Sequence, residues 1–70
     1  MNYLIVIEKS DTGYSAYSPD LPGCVSTGTT LEETEQNMQE AIKFHIDGLK
    51  EEGYDIRQPS SSPSWVEIAA

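Results

Sequence analysis

β-branched and aromatic residues dominate the stretch from Tyr3 to Lys9 and predict a strand over 3–9. Ser10-Asp11-Thr12-Gly13 carries turn chemistry, and an alternating pattern resumes at Tyr14, so a second strand is expected over 14–18, paired as a hairpin. Pro19-Asp20-Leu21-Pro22-Gly23 interrupts the pattern. Its prolines lack backbone donors and its glycine admits positive φ, which predicts a shaped loop leading into a third strand over 24–28. A helix is expected over 31–52. Thr30 is a good N-cap with Glu33 three positions later, and Leu31, Thr34, Met38, Ala41, Ile42, His45, Ile46 and Leu49 recur at steps of three and four. Gly53 is a natural stop. Residues 54–64, with two prolines among four serines, predict an extended connection, and Trp65-Val66-Glu67-Ile68 predicts a fourth strand at the sheet edge.

The expected architecture is α+β, in the order β-β-β-α-β. It comprises an antiparallel three-stranded sheet, one further edge strand, and a single helix packed on one face. The first strand has apolar groups on both of its faces, Tyr3, Ile5 and Ile7 on one and Leu4 and Val6 on the other. One helix covers one face, so the other calls for a second cover, either a copy of the chain or another protein.

Seventy residues support one domain with one modest core. Domains of this size rest on a disulfide, a metal or self-association. Cys24 is the only cysteine, which excludes an internal disulfide and suits a reducing interior. One histidine and one cysteine far apart match no zinc spacing, and no calcium-loop run of acids occurs, so neither metal nor cofactor is expected. Homo-oligomerisation, as a dimer or tetramer, is the expected support. The short apolar start has no basic flank or cleavage site and is too short to span a bilayer, which points to a cytoplasmic chain without membrane attachment.

Charge narrows the partner class. Twelve acids against four Lys and Arg give a formal net charge of -8, a field that repels phosphate backbones and attracts basic surfaces. Direct nucleic-acid binding by this chain alone is not expected.

Candidate contact residues are Tyr14, Tyr17, Asp20, Leu21 and Pro22. Aromatic groups concentrate binding energy, although Tyr14, Tyr17 and Trp65 also suit cross-strand packing. The loop reads first as the turn between two strands, while Asp20, a loop acid with no obvious packing duty, suits a partner's Lys or Arg. His45 on the apolar helix face reads as a packed core histidine, and Cys24 in a strand as a small buried hydrophobe. Glu32, Glu33 and Glu35 satisfy the helix dipole as well as they would a basic partner. Glu8, Asp11 and Asp20 raise a metal-dependent nuclease, but they fall in a strand, a turn and a loop, and nothing in their spacing makes them converge.

Tyr3, Gly13-Tyr14, Pro19-Asp20-Leu21-Pro22-Gly23-Cys24, Gly28, Thr30 and Glu32-Glu33, taken in order, resemble the HicB family of bacterial antitoxins. The most specific part is the PDLPGC loop, followed after a short strand by a G-x-T helix entry. The resemblance implies a partial ribonuclease-H-like fold without nuclease activity. It also implies a small basic HicA-type toxin as partner, a messenger-RNA-cleaving enzyme with a double-stranded-RNA-binding-like fold that the antitoxin occludes. An orphan homo-oligomer with no toxin is the alternative. Thr29 stands where the family often has an acid, and Thr34 where alanine is common. Many relatives continue into an operator-binding segment, whereas no Lys or Arg follows Arg57 here, so operator binding by this chain alone is not expected.

Overall fold

The structure is a computed structural model, and it describes residues 1–69. Three strands, β1 (Val6–Ser10), β2 (Gly13–Tyr17) and β3 (Val25–Gly28), form an antiparallel sheet in the order β1-β2-β3, followed by one helix, α1 (Leu31–Glu51). The architecture is α+β.

The ladder begins later in β1 than residue preference suggests. Val6 pairs with Tyr17, the last residue of β2, because Pro19 ends the possible partner strand just beyond it. Tyr3 to Ile5 therefore lie outside the ladder. There the hydroxyl of Ser18 donates to the carbonyl of Leu4 at 2.9 Å, replacing a backbone donor that β2 no longer offers.

Two consecutive turns make the β2–β3 connection. Leu21 N–H donates to the Ser18 carbonyl at 3.2 Å, and Cys24 N–H to the Leu21 carbonyl at 3.1 Å. In each turn a proline holds the second position, and Gly23 at φ +81° takes the third position of the second, as a type II turn requires.

Gly28 brings β3 and the helix start into close approach. A Cβ there would lie 2.5 Å from Thr34 Oγ1 and 2.8 Å from Thr34 N, so only hydrogen fits. Thr30 caps the helix through a 3.1 Å bond accepted from Glu33 N–H. Glu33 reaches one residue further back than a standard capping box does, accepting from the Thr29 N–H at 3.2 Å and the Thr29 hydroxyl at 3.1 Å. At the other end Gly53 N–H donates to Lys50 and Tyr54 N–H to Leu49, a Schellman arrangement that satisfies the last carbonyls.

The core consists of Ala16, Leu21, Cys24 and Met38, with Tyr3, Ile5, Ile7, Ala41 and Ile42 packed around it. Ile5, Ile7 and Ala16 thus mark the helix-facing side of the sheet. Leu31, expected on the apolar stripe, is 51% exposed because the helix meets the sheet one turn later, at Thr34 and Met38. Twenty-one helical residues reach about 31 Å, against about 17 Å for five strand residues, so the C-terminal half of α1, with His45 and Leu49 half-buried, overhangs the sheet.

The expected fourth strand at 65–68 is not formed. Residues 54–69 carry no regular secondary structure, and Trp65, Val66 and Ile68 are 94%, 80% and 75% exposed. A strand needs a partner for its backbone groups, and this segment meets none among the described residues. The Cα radius of gyration, 13.8 Å, exceeds the roughly 11 Å of a closely packed chain of this length, consistent with the projecting helix end and tail.

Candidate interaction surface

Register assembles the surface most suited to a partner. Val6 pairs with Tyr17, and Tyr17 with Val25, so three apolar side chains form one row across all three strands. Ile7 and Ala16, their immediate neighbours, face the helix; the row therefore points the other way. Tyr17 is 42% and Val25 66% exposed, while Val6 is half-buried. No element of the described chain packs across this face, since the single helix lies on the opposite one.

The five candidate contact residues do not form one site. Tyr17 lies on the open face, and Pro22 is exposed in the adjoining loop. Tyr14 is three residues from Tyr17 and so faces the helix side, where it lines a shallow hollow with Thr27, Gly28 and Glu33 near the helix start. Leu21 is 1% exposed and belongs to the core, where the two turns fold it inward.

Asp20 is turned inward as well. It is 4% exposed, and its carboxylate accepts four hydrogen bonds from the connection beyond the helix. The backbone N–H groups of Ser60 and Ser61 each reach Oδ2 at 3.1 Å, and their hydroxyls reach Oδ1 at 2.9 and 3.0 Å. The N–H donors of Ser61 and Ser60, above all, favour the ionised form and hold the carboxyl down at about 2, against the opposing effect of burial. Nearby, the Tyr3 hydroxyl donates to the carbonyl of Arg57. Asp20 is thus a clamp on the chain's own tail.

The acids raised as a metal-dependent site are not brought together. Asp11 lies in the β1–β2 turn and Asp20 beyond the far end of β2, so antiparallel pairing puts them at opposite ends of the sheet. Among the described residues no three His, Cys, Asp or Glu side chains come together as metal ligands. Cys24 is buried, and desolvation pushes its thiol pKa up, away from the reactive thiolate. Among the described residues no helix is long and apolar enough to cross a membrane.

Val6 and Val25 as companions of Tyr17, and Ser60 and Ser61 as companions of Asp20, are the neighbours that local patterns missed. Alternation within each strand held a signal for the first pair, but only the register brings them into one row. The serine pair carried no signal beyond lying in a serine run between prolines.

Residues 3–68 match the family described as the HicB_like antitoxin of bacterial toxin-antitoxin systems. An uncharacterized 14.9 kDa protein of Haemophilus phage HP1 is 48% identical over 63 residues, covering 90% of this chain and 46% of its own length. Antitoxin HicB 2 of Photorhabdus laumondii is 31% identical over the whole of this chain and 51% of its own length. The chain therefore spans about half the length of these two curated relatives. Among solved structures, a chain of the HicA3 and HicB3 toxin-antitoxin complex superposes with a TM-score of 0.76 at 36% identity, covering 87% of this chain and 71% of that one.

Proposed function

The chain belongs to the HicB-like antitoxin family, and from that premise we propose that it binds and occludes a small basic, messenger-RNA-cleaving toxin of HicA type. The observation that carries this reading is the likeness to a chain of the HicA3 and HicB3 complex. The physical properties of the chain agree with such a partner. A formal charge of -8 draws a basic protein closer and accelerates encounter. The row Val6–Tyr17–Val25 offers an apolar centre, with Pro22 at its margin, on a face that no part of the described chain covers.

In this reading the antitoxin acts by steric and electrostatic cover. It performs no catalysis, needs no cofactor, makes no direct contact with nucleic acid, and works in the cytoplasm. Tyr17 is the anchor: a large amphipathic ring at the middle strand, flanked on both sides by valine.

The test is RNA cleavage by a purified HicA-type toxin, titrated with this chain at low and high salt. Cleavage should stop near stoichiometric addition, and the inhibition should weaken with salt as screening removes the attraction. Val25→Asp, an exposed position, should loosen inhibition without unfolding the domain. Undiminished cleavage in excess chain overturns the proposal. The competing reading, a self-associating domain with no toxin, draws on the same exposed row; it predicts that Val25→Asp changes oligomeric state and that no toxin is inhibited.

A further inference from the structure

The open face of the sheet carries a second row beside the apolar one. Glu8 pairs with Ser15, and Ser15 with Thr27, so an acid and two hydroxyls cross the three strands two residues from Val6, Tyr17 and Val25. Alternation places this row on the same side as the apolar one, away from the helix. Glu8 and Thr27 are exposed and Ser15 is half-buried. The two rows lie about 7 Å apart, the rise of two strand residues, and neighbours within a row lie about 5 Å apart.

The four Lys and Arg of the chain are all placed elsewhere. Lys9 pairs with Tyr14 on the helix side of the sheet. Lys43 and Lys50 belong to α1, which packs on that same side, and the carbonyl of Arg57 is held by Tyr3, which joins the core there. The acids divide as well. Glu32, Glu33, Glu35, Glu40, Asp47 and Glu51, half of the twelve, lie in α1 behind the open face, and Asp20 is occupied by Ser60 and Ser61. Glu8 stands on the open face itself, with no base in either row.

We propose that Glu8 reads the basic partner: its carboxylate pairs with one Lys or Arg side chain of the toxin, while Val6, Tyr17 and Val25 take the apolar groups beside it. The Ser15 hydroxyl, next to Glu8 in the row, accepts a further hydrogen bond from the same cation. This rests on the antitoxin reading and adds to it the residue that fixes the partner's direction. A single acid on one flank of an apolar row defines an orientation that apolar contact alone does not. The same carboxylate selects the occupant. Covering it without a cation costs its desolvation, so a neutral or acidic surface is rejected. A second copy presenting this face brings no base to Glu8, and a nucleic acid brings phosphates; a basic protein meets both rows.

The test measures association and dissociation rates of a purified HicA-type toxin with the wild-type chain and with Glu8→Gln, Glu8→Asp and Glu40→Gln. Glu8→Gln and Glu40→Gln remove the same charge, one from the open face and one from the helix behind it. Glu8→Gln should speed dissociation about tenfold, the loss of one charged hydrogen-bonded pair, and Glu8→Asp should speed it less. Glu40→Gln should slow association slightly by weakening the long-range field and leave dissociation unchanged. Urea midpoints of the Glu8 variants should match the wild type, because the side chain is exposed. Among toxins with one Lys or Arg reversed to Glu, one should leave Glu8→Lys more slowly than the unaltered toxin does. Equal dissociation from Glu8→Gln and Glu40→Gln, with the wild-type chain still inhibiting the toxin, overturns this proposal and leaves the antitoxin reading intact. A wild-type chain that binds no toxin overturns both.

Discussion

The carboxylate of Asp20 holds both the backbone N–H and the hydroxyl of Ser60, forty residues further along the chain. With the matching pair from Ser61, these bonds tie the connection after the helix to the turn between β2 and β3. Asp20→Asn keeps the shape but substitutes a donor for one acceptor. The Ser60 and Ser61 amides should then exchange with solvent much faster, while helix and sheet amides keep their protection, as read by hydrogen exchange. Unchanged protection at the two serines would show that the segment is held by something else.

The same clamp has a pH signature. Asp20 is lowered from 3.8 to about 2, so its folded form binds protons less readily than its unfolded form. A depressed carboxyl contributes fully above the unfolded value and loses that contribution as pH falls through the folded one. Release of the tail is therefore expected between about pH 4 and pH 2. Limited acid-protease digestion across that window should cut the connection progressively, and Asp20→Asn should abolish the dependence.

Gly28→Ala should destabilise the domain by about 1 to 3 kcal/mol, the usual cost of forcing an extra carbon into a filled site. The new Cβ would meet both the hydroxyl and the backbone nitrogen of Thr34. Adding Thr34→Ala relieves the first clash and not the second, so the double variant should recover only part of the loss. Urea midpoints of the two variants measure this, and full recovery would contradict the backbone contact.

At the helix start the two threonines should differ. Thr30→Ala removes the bond to Glu33 N–H and should cost about 1 kcal/mol. Thr29→Ala removes only the exposed hydroxyl bond to the Glu33 carboxylate, keeps the backbone N–H bond to it, and should cost less. Equal losses in thermal melts would show that Glu33 anchors the helix start as strongly as the cap itself.

Cys24 should resist a neutral thiol reagent in the folded protein and react on unfolding, because burial favours the protonated form. Rapid modification in native buffer would place the thiol at the surface.

How far the sequence reaches depends on the range of the forces involved. The helix over Leu31–Glu51 has its cap, acids and stop written within a few residues of each end, and the two turns carry Pro and Gly at the positions their dihedrals require. Those are local preferences, acting between neighbours, and the reading of three antiparallel strands and one helix stands on them. The antitoxin resemblance rested on the same short loop and helix entry, and the family match covers residues 3–68.

Contacts between distant segments carry no such local signature. Asp20 read as a free surface acid because its partners lie forty positions away, and Leu21 read as a loop contact because the turns that bury it act only once the sheet and helix supply a core. Likewise Val6, Tyr17 and Val25 become one surface only through the register of three strands. The tail at 65–68 has the composition of a strand, yet composition sets only a preference. Pairing requires a partner with unmet backbone groups, and the tertiary structure brings none to it among the described residues.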